Sequence, residues 1–86
     1  MEERKRLVSE ETERRKQAVL NLLLEVMQAT SAGYDVAALR YDPYSETVHV
    51  DFAGDGGQIH KDGRIINVAM DSDWAMVKDV VKHAEL

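Results

Sequence analysis

The sequence predicts a two-layer α+β domain in the order α-β-β-β-α: a long N-terminal helix, an antiparallel meander of three or four strands, and a C-terminal helix. Three observations predict this class. An apolar stripe with helical spacing follows Ser9, apolar residues alternate with polar ones between positions 36 and 53, and two Asp-Gly pairs stand seven residues apart. With 86 residues, 44% of them hydrophobic, the chain has the size and composition of one domain, which we assign to residues 1–86.

The first helix is predicted over residues 9–31, and residues 1–8 before it are expected to be frayed. Ser9 can cap the helix, glutamates follow at its positive end, and Gly33 supplies a stop. The apolar stripe of this helix is wider than one neighbouring element requires. Its members are Val19, Leu20, Leu23, Leu24, Val26, Met27 and Thr30, and Leu22 lies beside it. The excess predicts a second contact, such as a homodimer formed through residues 19–30.

Two strands are predicted over residues 36–41 and 47–53, joined by a turn that begins at Asp42 and Pro43. Aspartate in the first position and proline in the second are typical of a type I turn. Such a turn determines which residues of the two strands lie opposite each other. The predicted pairs are Leu39 with Val50, Arg40 with His49, and Tyr41 with Val48.

The two Asp-Gly pairs, at residues 55–56 and 62–63, are predicted to be tight hairpin turns, because Asp-Gly suits the type I′ geometry. The resulting pairs are Phe52 with Ile59, Asp51 with His60, and Ile59 with Ile66. With the first turn, they give the sheet one apolar inner face. That face is predicted to comprise Leu39, Tyr41, Val48, Val50, Phe52, Ile59, Ile66 and Val68.

The last helix is predicted to begin after a cap at Asp71 or Ser72, with Asp73 in its first turn. Its apolar residues fall on one side of a helical projection. The predicted core-facing stripe is Trp74, Val77, Val80, Val81 and Ala84. Trp74 is therefore interpreted as a core residue rather than a platform for base stacking.

The outward face of the meander is the one local cluster that suggests chemistry. If Asp51 lies opposite His60, the side chains of His49, Asp51 and His60 share a face and can reach one ion, with Asp62 or water completing the shell. Such a nitrogen and oxygen set suits a divalent transition metal such as Zn²⁺. The alternative is a solvated face on which Arg40 pairs with Asp51 and no cofactor is present.

Catalysis is not expected. The chain has no cysteine, which excludes disulfides, thiolate metal sites and thiol nucleophiles. Its glycine-rich run at residues 54–57 lacks the lysine and the following helix of a phosphate-binding loop. No serine or threonine lies on a recognisable nucleophile turn. We therefore predict a protein that is not an enzyme.

The charge is uneven along the chain. Residues 1–17 hold six basic and five acidic side chains, whereas residues 18–86 hold five basic and eleven acidic ones, giving net charges of +1 and −6. An acidic body repels nucleic acid and attracts basic protein surfaces. The predicted partner-binding residues are Asp42, Glu46, Asp51, Asp55 and Asp62. No apolar run is long enough to span a bilayer, and a cytoplasmic protein is expected.

Two resemblances follow from the element order. The order α-β-β-β-α is similar to that of double-stranded-RNA-binding domains, but Asp71, Ser72 and Asp73 stand where those domains carry basic residues. In size, acidity and lack of cysteine, the chain also resembles the small phage-encoded anti-CRISPR proteins, several of which use acidic α+β domains to block nucleic-acid entry into Cas nucleases. This second resemblance implies a non-enzymatic inhibitor that binds a Cas nuclease in the cytoplasm of a host bacterium.

Overall fold

The computed structural model describes residues 5–30 and 35–84 and confirms the predicted α+β fold. Its helices are α1 (Glu10–Ala29) and α2 (Asp73–Ala84). Its strands are β1 (Val36–Asp42), β2 (Thr47–Ala53) and β3 (Ile59–Asn67). The strands form one antiparallel sheet in the order β1-β2-β3. Neither helix in the described ranges has the length and hydrophobicity needed to cross a membrane.

Helix α1 begins where its capping residue predicts, since the Thr12 main-chain N–H donates to Ser9 Oγ at 3.1 Å. The predicted stop at Gly33 lies outside the described residues. The expectation that residues 1–8 are frayed stays a prediction, and of that segment the structure describes residues 5–8. The Leu7 main-chain N–H donates to Pro43 O at 2.9 Å, and the Arg6 guanidinium lies 5.4 Å from the centre of the Tyr44 ring. These contacts hold the segment against the β1–β2 turn.

Both helices pack on the same face of the sheet, because their buried residues join the sheet residues in a single apolar cluster. The helices contribute Leu20, Met27, Met76, Val80 and Ala84, and the sheet side contributes Val36, Leu39, Tyr41, Val48, Val50, Phe52, Ile66 and Val68. Seven of the eight predicted inner-face residues are therefore buried. We call this covered side the inner face and the opposite side the outer face.

The β1–β2 register is the predicted one, with Tyr41 opposite Val48 and Arg40 opposite His49. The β2–β3 register differs from the predicted one. Phe52 lies opposite His60, and Ala53 lies opposite Ile59. A slip of one residue moves a side chain to the other face of a sheet. Ile59 is accordingly 53% exposed on the outer face rather than buried.

The glycines after β2 explain this slip. A type I′ turn needs two consecutive residues with positive φ. Those residues are Gly56 and Gly57, with φ of 72° and 81°, rather than Asp55 and Gly56. Glycine adopts positive φ without the steric cost that a Cβ imposes on aspartate. The connection therefore uses a short 3₁₀ turn, Asp55–Gly57, one residue later than predicted.

The second predicted turn, at Asp62-Gly63, is instead a bulge inside β3. Val50 pairs with Arg64 and Phe52 with His60, so one residue of β2 faces three of β3. Asp62 has a φ of 55°, which makes the local bend. A Cβ on Gly63 would lie 2.3 Å from Phe52 Cδ2, so only glycine lets the strand pass this buried ring. The chain thus continues as one strand instead of reversing.

Helix α2 is rotated relative to its predicted orientation. Its buried residues are Met76, Val80 and Ala84, whereas Trp74 is 73% exposed and is not a core residue. The neighbouring Asp73 accounts for the rotation, because its carboxylate accepts hydrogen bonds from α1. Arg15 Nε donates to Asp73 Oδ2 at 2.8 Å, and the buried Lys16 donates from Nζ to Asp73 Oδ1 at 3.2 Å. These ion pairs turn Asp73 toward α1 and leave Trp74 in solvent.

Candidate functional site

The outer face carries a group of charged side chains from all three strands that are joined by hydrogen bonds and ion pairs, and we call it the outer-face network. Its members are Arg40, Asp42, His49, Asp51 and Asp62. Alternation along β1 and β2 places the first four opposite the core-facing residues. Asp62 joins them because the β3 bulge brings its main chain to Asp51. The network therefore links β1, β2 and β3.

Asp51 is the most buried member, at 4% exposed. Its Oδ2 accepts from Arg40 Nε at 3.0 Å, and its Oδ1 accepts from Arg40 Nη2 at 2.8 Å and from the Asp62 main-chain N–H at 2.9 Å. The two bonds from Arg40 form the bidentate contact that a guanidinium makes with a carboxylate. They hold the pKa of Asp51 below its usual range, although burial acts in the opposite direction. Asp51 therefore stays ionised and holds both β1 and the bulge.

Asp62 connects the arginine to the histidine. Its Oδ1 lies 2.9 Å from His49 Nδ1 and accepts from Arg40 Nη2 at 2.6 Å. These contacts, that of His49 foremost, lower the pKa of the Asp62 carboxyl. An ionised Asp62 can only accept, so His49 Nδ1 carries the donating proton. The tautomer of His49 is thereby set, and its Nε2 is left to accept when the ring is neutral.

A chain of hydroxyl groups continues from the histidine. Thr47 Oγ1 lies 3.1 Å from His49 Nε2, and Ser45 Oγ lies 2.7 Å from Thr47 Oγ1. Hydroxyl, imidazole and carboxylate follow one another as in acyl-transfer enzymes. Acyl transfer also needs a substrate pocket and donors for an oxyanion. Two grooves on the described part of the surface are lined by other residues. We interpret the chain of hydroxyl groups as structural support for His49.

The metal site predicted at His49, Asp51 and His60 rested on a strand pairing that is wrong. Asp51 lies opposite Ala38, and His60 lies opposite Phe52, on the inner face. The ion pair between Arg40 and Asp51 that the alternative includes is present. Within residues 5–30 and 35–84, no group of three or more histidine, aspartate or glutamate side chains is placed to hold a metal ion.

The predicted partner-binding carboxylates differ in their availability. Asp51 is buried and fully hydrogen-bonded, so it cannot contact a partner directly. Asp62 is about half exposed, with its charge shared between Arg40 and His49. Asp42 and Glu46 flank the turn that joins β1 and β2, and Asp55 lies exposed in the turn that joins β2 and β3. The predicted carboxylates thus lie at both ends of the sheet, with Asp51 and Asp62 on its outer face between them.

Arg40 is the member of the outer-face network that the sequence interpretation undervalued. It donates to two carboxylates at once, and these bonds raise its own pKa. The available signal was its position two residues from Asp42 and opposite His49 on a face rich in acidic residues.

No protein-family model, curated protein or solved structure matches the chain at a significant level.

Proposed function

We propose that this chain is a non-enzymatic acidic interaction protein. It docks the outer face of its sheet on a basic surface of a nucleic-acid-binding protein, such as a Cas nuclease, and blocks the access of nucleic acid. The observation that supports this most is the open outer face. Within the described residues both helices pack on the inner face, so the exposed carboxylates of Asp55 and Asp62 remain available to a partner.

Fixed carboxylates suit this task. Asp42 Oδ1 accepts from the Tyr44 main-chain N–H at 2.8 Å, and Asp62 is held by Arg40 and His49. Side chains that are already ordered lose little conformational entropy on binding. Carboxylates spaced along a rigid sheet can therefore replace the phosphates that a basic groove normally binds. The net charge of −6 over residues 18–86 adds long-range attraction to such a groove.

The test neutralises the face without changing its shape. A triple variant, Asp42→Asn with Glu46→Gln and Asp55→Asn, removes three charges, keeps the turn acceptor of Asp42 and leaves Asp62 in the network. The matched control, Glu10→Gln with Glu11→Gln and Glu25→Gln, removes three charges from exposed positions of α1. Binding to a purified Cas nuclease without nucleic acid, and inhibition of its cleavage of DNA, are measured over a range of salt concentrations.

We expect the outer-face triple to weaken binding about tenfold or more and the control triple to weaken it only about two- to threefold, because local contacts add to long-range attraction. Wild-type binding should weaken as salt rises. Equal losses in the two triples would show that only net charge matters. Direct binding of the wild-type protein to DNA or RNA would contradict the proposal, as would full inhibition by the outer-face triple.

The second candidate function, a homodimeric interaction module, is favoured by α1. Leu22 and Val26 lie one turn apart on this helix and are 63% and 53% exposed. Burial of such a pair between two copies would stabilise a dimer. Sedimentation should then show a dimer for the wild-type protein and a monomer for Leu22→Lys, with Asn21→Lys as the matched control on the same exposed side. A wild-type monomer at about 100 μM, a concentration at which even weak dimers form, would rule this candidate out.

A further inference from the structure

The first edge of the sheet, on β1, is closed by side chains of α1. Gln17 Nε2 donates to Leu39 O at 2.9 Å, and Gln17 Oε1 accepts from the Tyr41 main-chain N–H at 2.8 Å. One amide group thus supplies the donor and the acceptor that a neighbouring strand would supply. Gln28 Nε2 closes a further position by donating to Val36 O at 3.2 Å. These main-chain groups of the β1 edge are therefore already paired and are not available to another strand.

The second edge, on β3, is open. The Val68 main-chain N–H donates to Glu46 O at 3.0 Å, and bonded and non-bonded pairs alternate along the ladder from that point. Ile65 and Asn67 therefore direct their main-chain N–H and C=O groups away from β2. In the described part of the chain, no side chain closes these positions as Gln17 closes β1. Unpaired main-chain groups at a sheet edge are a template for another strand.

A groove lies beside the open edge, between β3 and α2. Its volume is about 320 Å³, and its lining residues are Arg64, Ile65, Ile66, Asn67, Asp79 and His83. Alternate side chains of a strand added to β3 would point to the inner side of the sheet, where α2 lies. The groove can therefore receive these side chains while the main chain pairs with Ile65 and Asn67.

The charge beside this edge identifies the chemistry of the added strand. Residues 18–86 contain five lysines and arginines, of which Arg40 belongs to the outer-face network. The other four lie exposed on β3 and α2: Lys61, Arg64, Lys78 and Lys82. Within residues 5–30 and 35–84, Arg64 has no carboxylate partner and donates only to the carbonyl of Gly63, at 3.0 Å. An acidic segment would complement these four cations, which outnumber the one carboxylate in the lining of the groove, Asp79.

We propose that the open edge of β3 binds an extended, acidic segment of a partner protein as a fourth antiparallel strand, with a carboxylate of that segment on Arg64. The partner contributes main-chain hydrogen bonds to Ile65 and Asn67 and one or two side chains to the groove. This site is separate from the outer-face network. It binds an acidic segment, whereas the partner proposed for the outer face is basic. It therefore does not depend on the function proposed above.

The probe is an acetylated and amidated peptide of seven residues in which valine and glutamate alternate. The matched peptide has lysine in place of glutamate. Titration into the labelled full chain is followed by amide NMR shifts and amide hydrogen exchange. The glutamate peptide should perturb and protect the amides of Ile65 and Asn67 and leave that of Tyr41 unchanged, because Gln17 already holds it. The lysine peptide should bind at least about tenfold more weakly, as expected for a lost charge contact.

Variants on β3 distinguish a direct contact with Arg64 from long-range electrostatic attraction. Arg64→Glu should weaken binding of the glutamate peptide about tenfold and favour the lysine peptide, whereas Lys61→Glu, on the same strand but outside the groove, should change it less than about threefold. Methylation of alternate peptide nitrogens on the pairing edge should abolish binding. Equal affinity for the two peptides, or unprotected Ile65 and Asn67 amides at saturation, would overturn the proposal. Concentration-dependent protection of Ile65 without peptide would also overturn it, by showing that a second copy occupies the edge.

Discussion

The two edges of the sheet show how helix placement determines what a strand can do. Helix α1 lies along β1, so it buries the inner side of that strand and closes its edge with Gln17 and Gln28. Helix α2 covers β3 less completely, and Ile66 is the single buried residue among the nine of that strand. A helix that packs directly beside a strand supplies both a core and substitute main-chain partners. A helix set further away leaves a groove and an open edge.

The β1 half and the β3 half of the sheet are nevertheless joined through the outer face. Arg40 belongs to β1, Asp51 to β2 and Asp62 to the bulge of β3. Arg40, on the closed edge strand β1, therefore holds the bulge of the open edge strand β3 through Asp51 and Asp62. Four variants test how far stability and pairing differ between the halves.

The largest loss is expected for Gly63→Ala. The new Cβ would lie 2.3 Å from the buried Phe52 ring, and overpacking of this kind costs about 1–3 kcal/mol. Urea denaturation should show the loss, and amide spectra should show β3 disturbed more than β1. Gly57→Ala is the control, since its Cβ would meet no atom within 4 Å but its φ of 81° costs about 1 kcal/mol. A smaller loss at Gly63 than at Gly57 would contradict the close approach of β3 to Phe52.

The next effect is expected for Asp51→Ala, which removes the carboxylate that joins the two halves. Hydrogen bonds to charged groups contribute about 1.5–3 kcal/mol, and solvent around the half-exposed Arg40 places the expected loss near the lower end. The pKa of Asp51 is lowered by Arg40 in the folded protein, so its stabilisation is complete above about pH 4 and is lost as the pH falls below that value. The difference between wild type and variant in urea denaturation should therefore shrink at about pH 2.5, well below that value. If wild type and variant differed by the same amount at pH 7 as at pH 2.5, the ion pair would be contradicted. The control Asp55→Ala, at an exposed position, should change stability little at either pH.

A smaller loss, about 1–2 kcal/mol for two hydrogen bonds, is expected for Gln17→Met, which preserves the length of the side chain. Its distinctive result is local. The Tyr41 amide should exchange with solvent as fast as that of Ile65, because both edges are then open. The control is Asn21→Ala, which removes only an exposed acceptor of Gln17. Continued protection of Tyr41 in Gln17→Met would mean that another group closes β1.

The smallest effect, and one of opposite sign, is expected for Asp79→Asn in the lining of the groove. The neighbouring Asp79 carboxyl raises the pKa of Asp71, and burial adds to this, so the folded protein binds that proton more tightly than the unfolded chain. The stabilisation that this proton gives the folded protein is complete below about pH 4, and it is lost as the pH rises through the raised pKa of Asp71. At pH 7 the substitution should relieve repulsion and raise stability by less than about 1 kcal/mol. Thermal unfolding at pH 7 and pH 3.5 would show whether this gain disappears in acid, and an equal gain at both would contradict the coupling.

Local chemistry was sufficient for the elements and for one strand pair. The Ser9 cap marks the start of α1, and the turn that begins at Asp42 and Pro43 sets the β1–β2 register, because each depends on residues only a few positions apart. Alternation of apolar residues then identified most of the inner face. The acidic character of the body and the outward position of His49 were also readable from the sequence.

Three features required the folded chain. The β2–β3 register depends on Gly56 and Gly57 taking the positive φ values and on Gly63 passing the Phe52 ring. The rotation of α2 depends on ion pairs of Asp73 with α1, more than fifty residues away along the chain. The outer-face network depends on that register, since Asp62 reaches Arg40 only when β3 bulges. Short-range preferences leave such choices nearly equal in energy, and contacts between distant residues then decide among them.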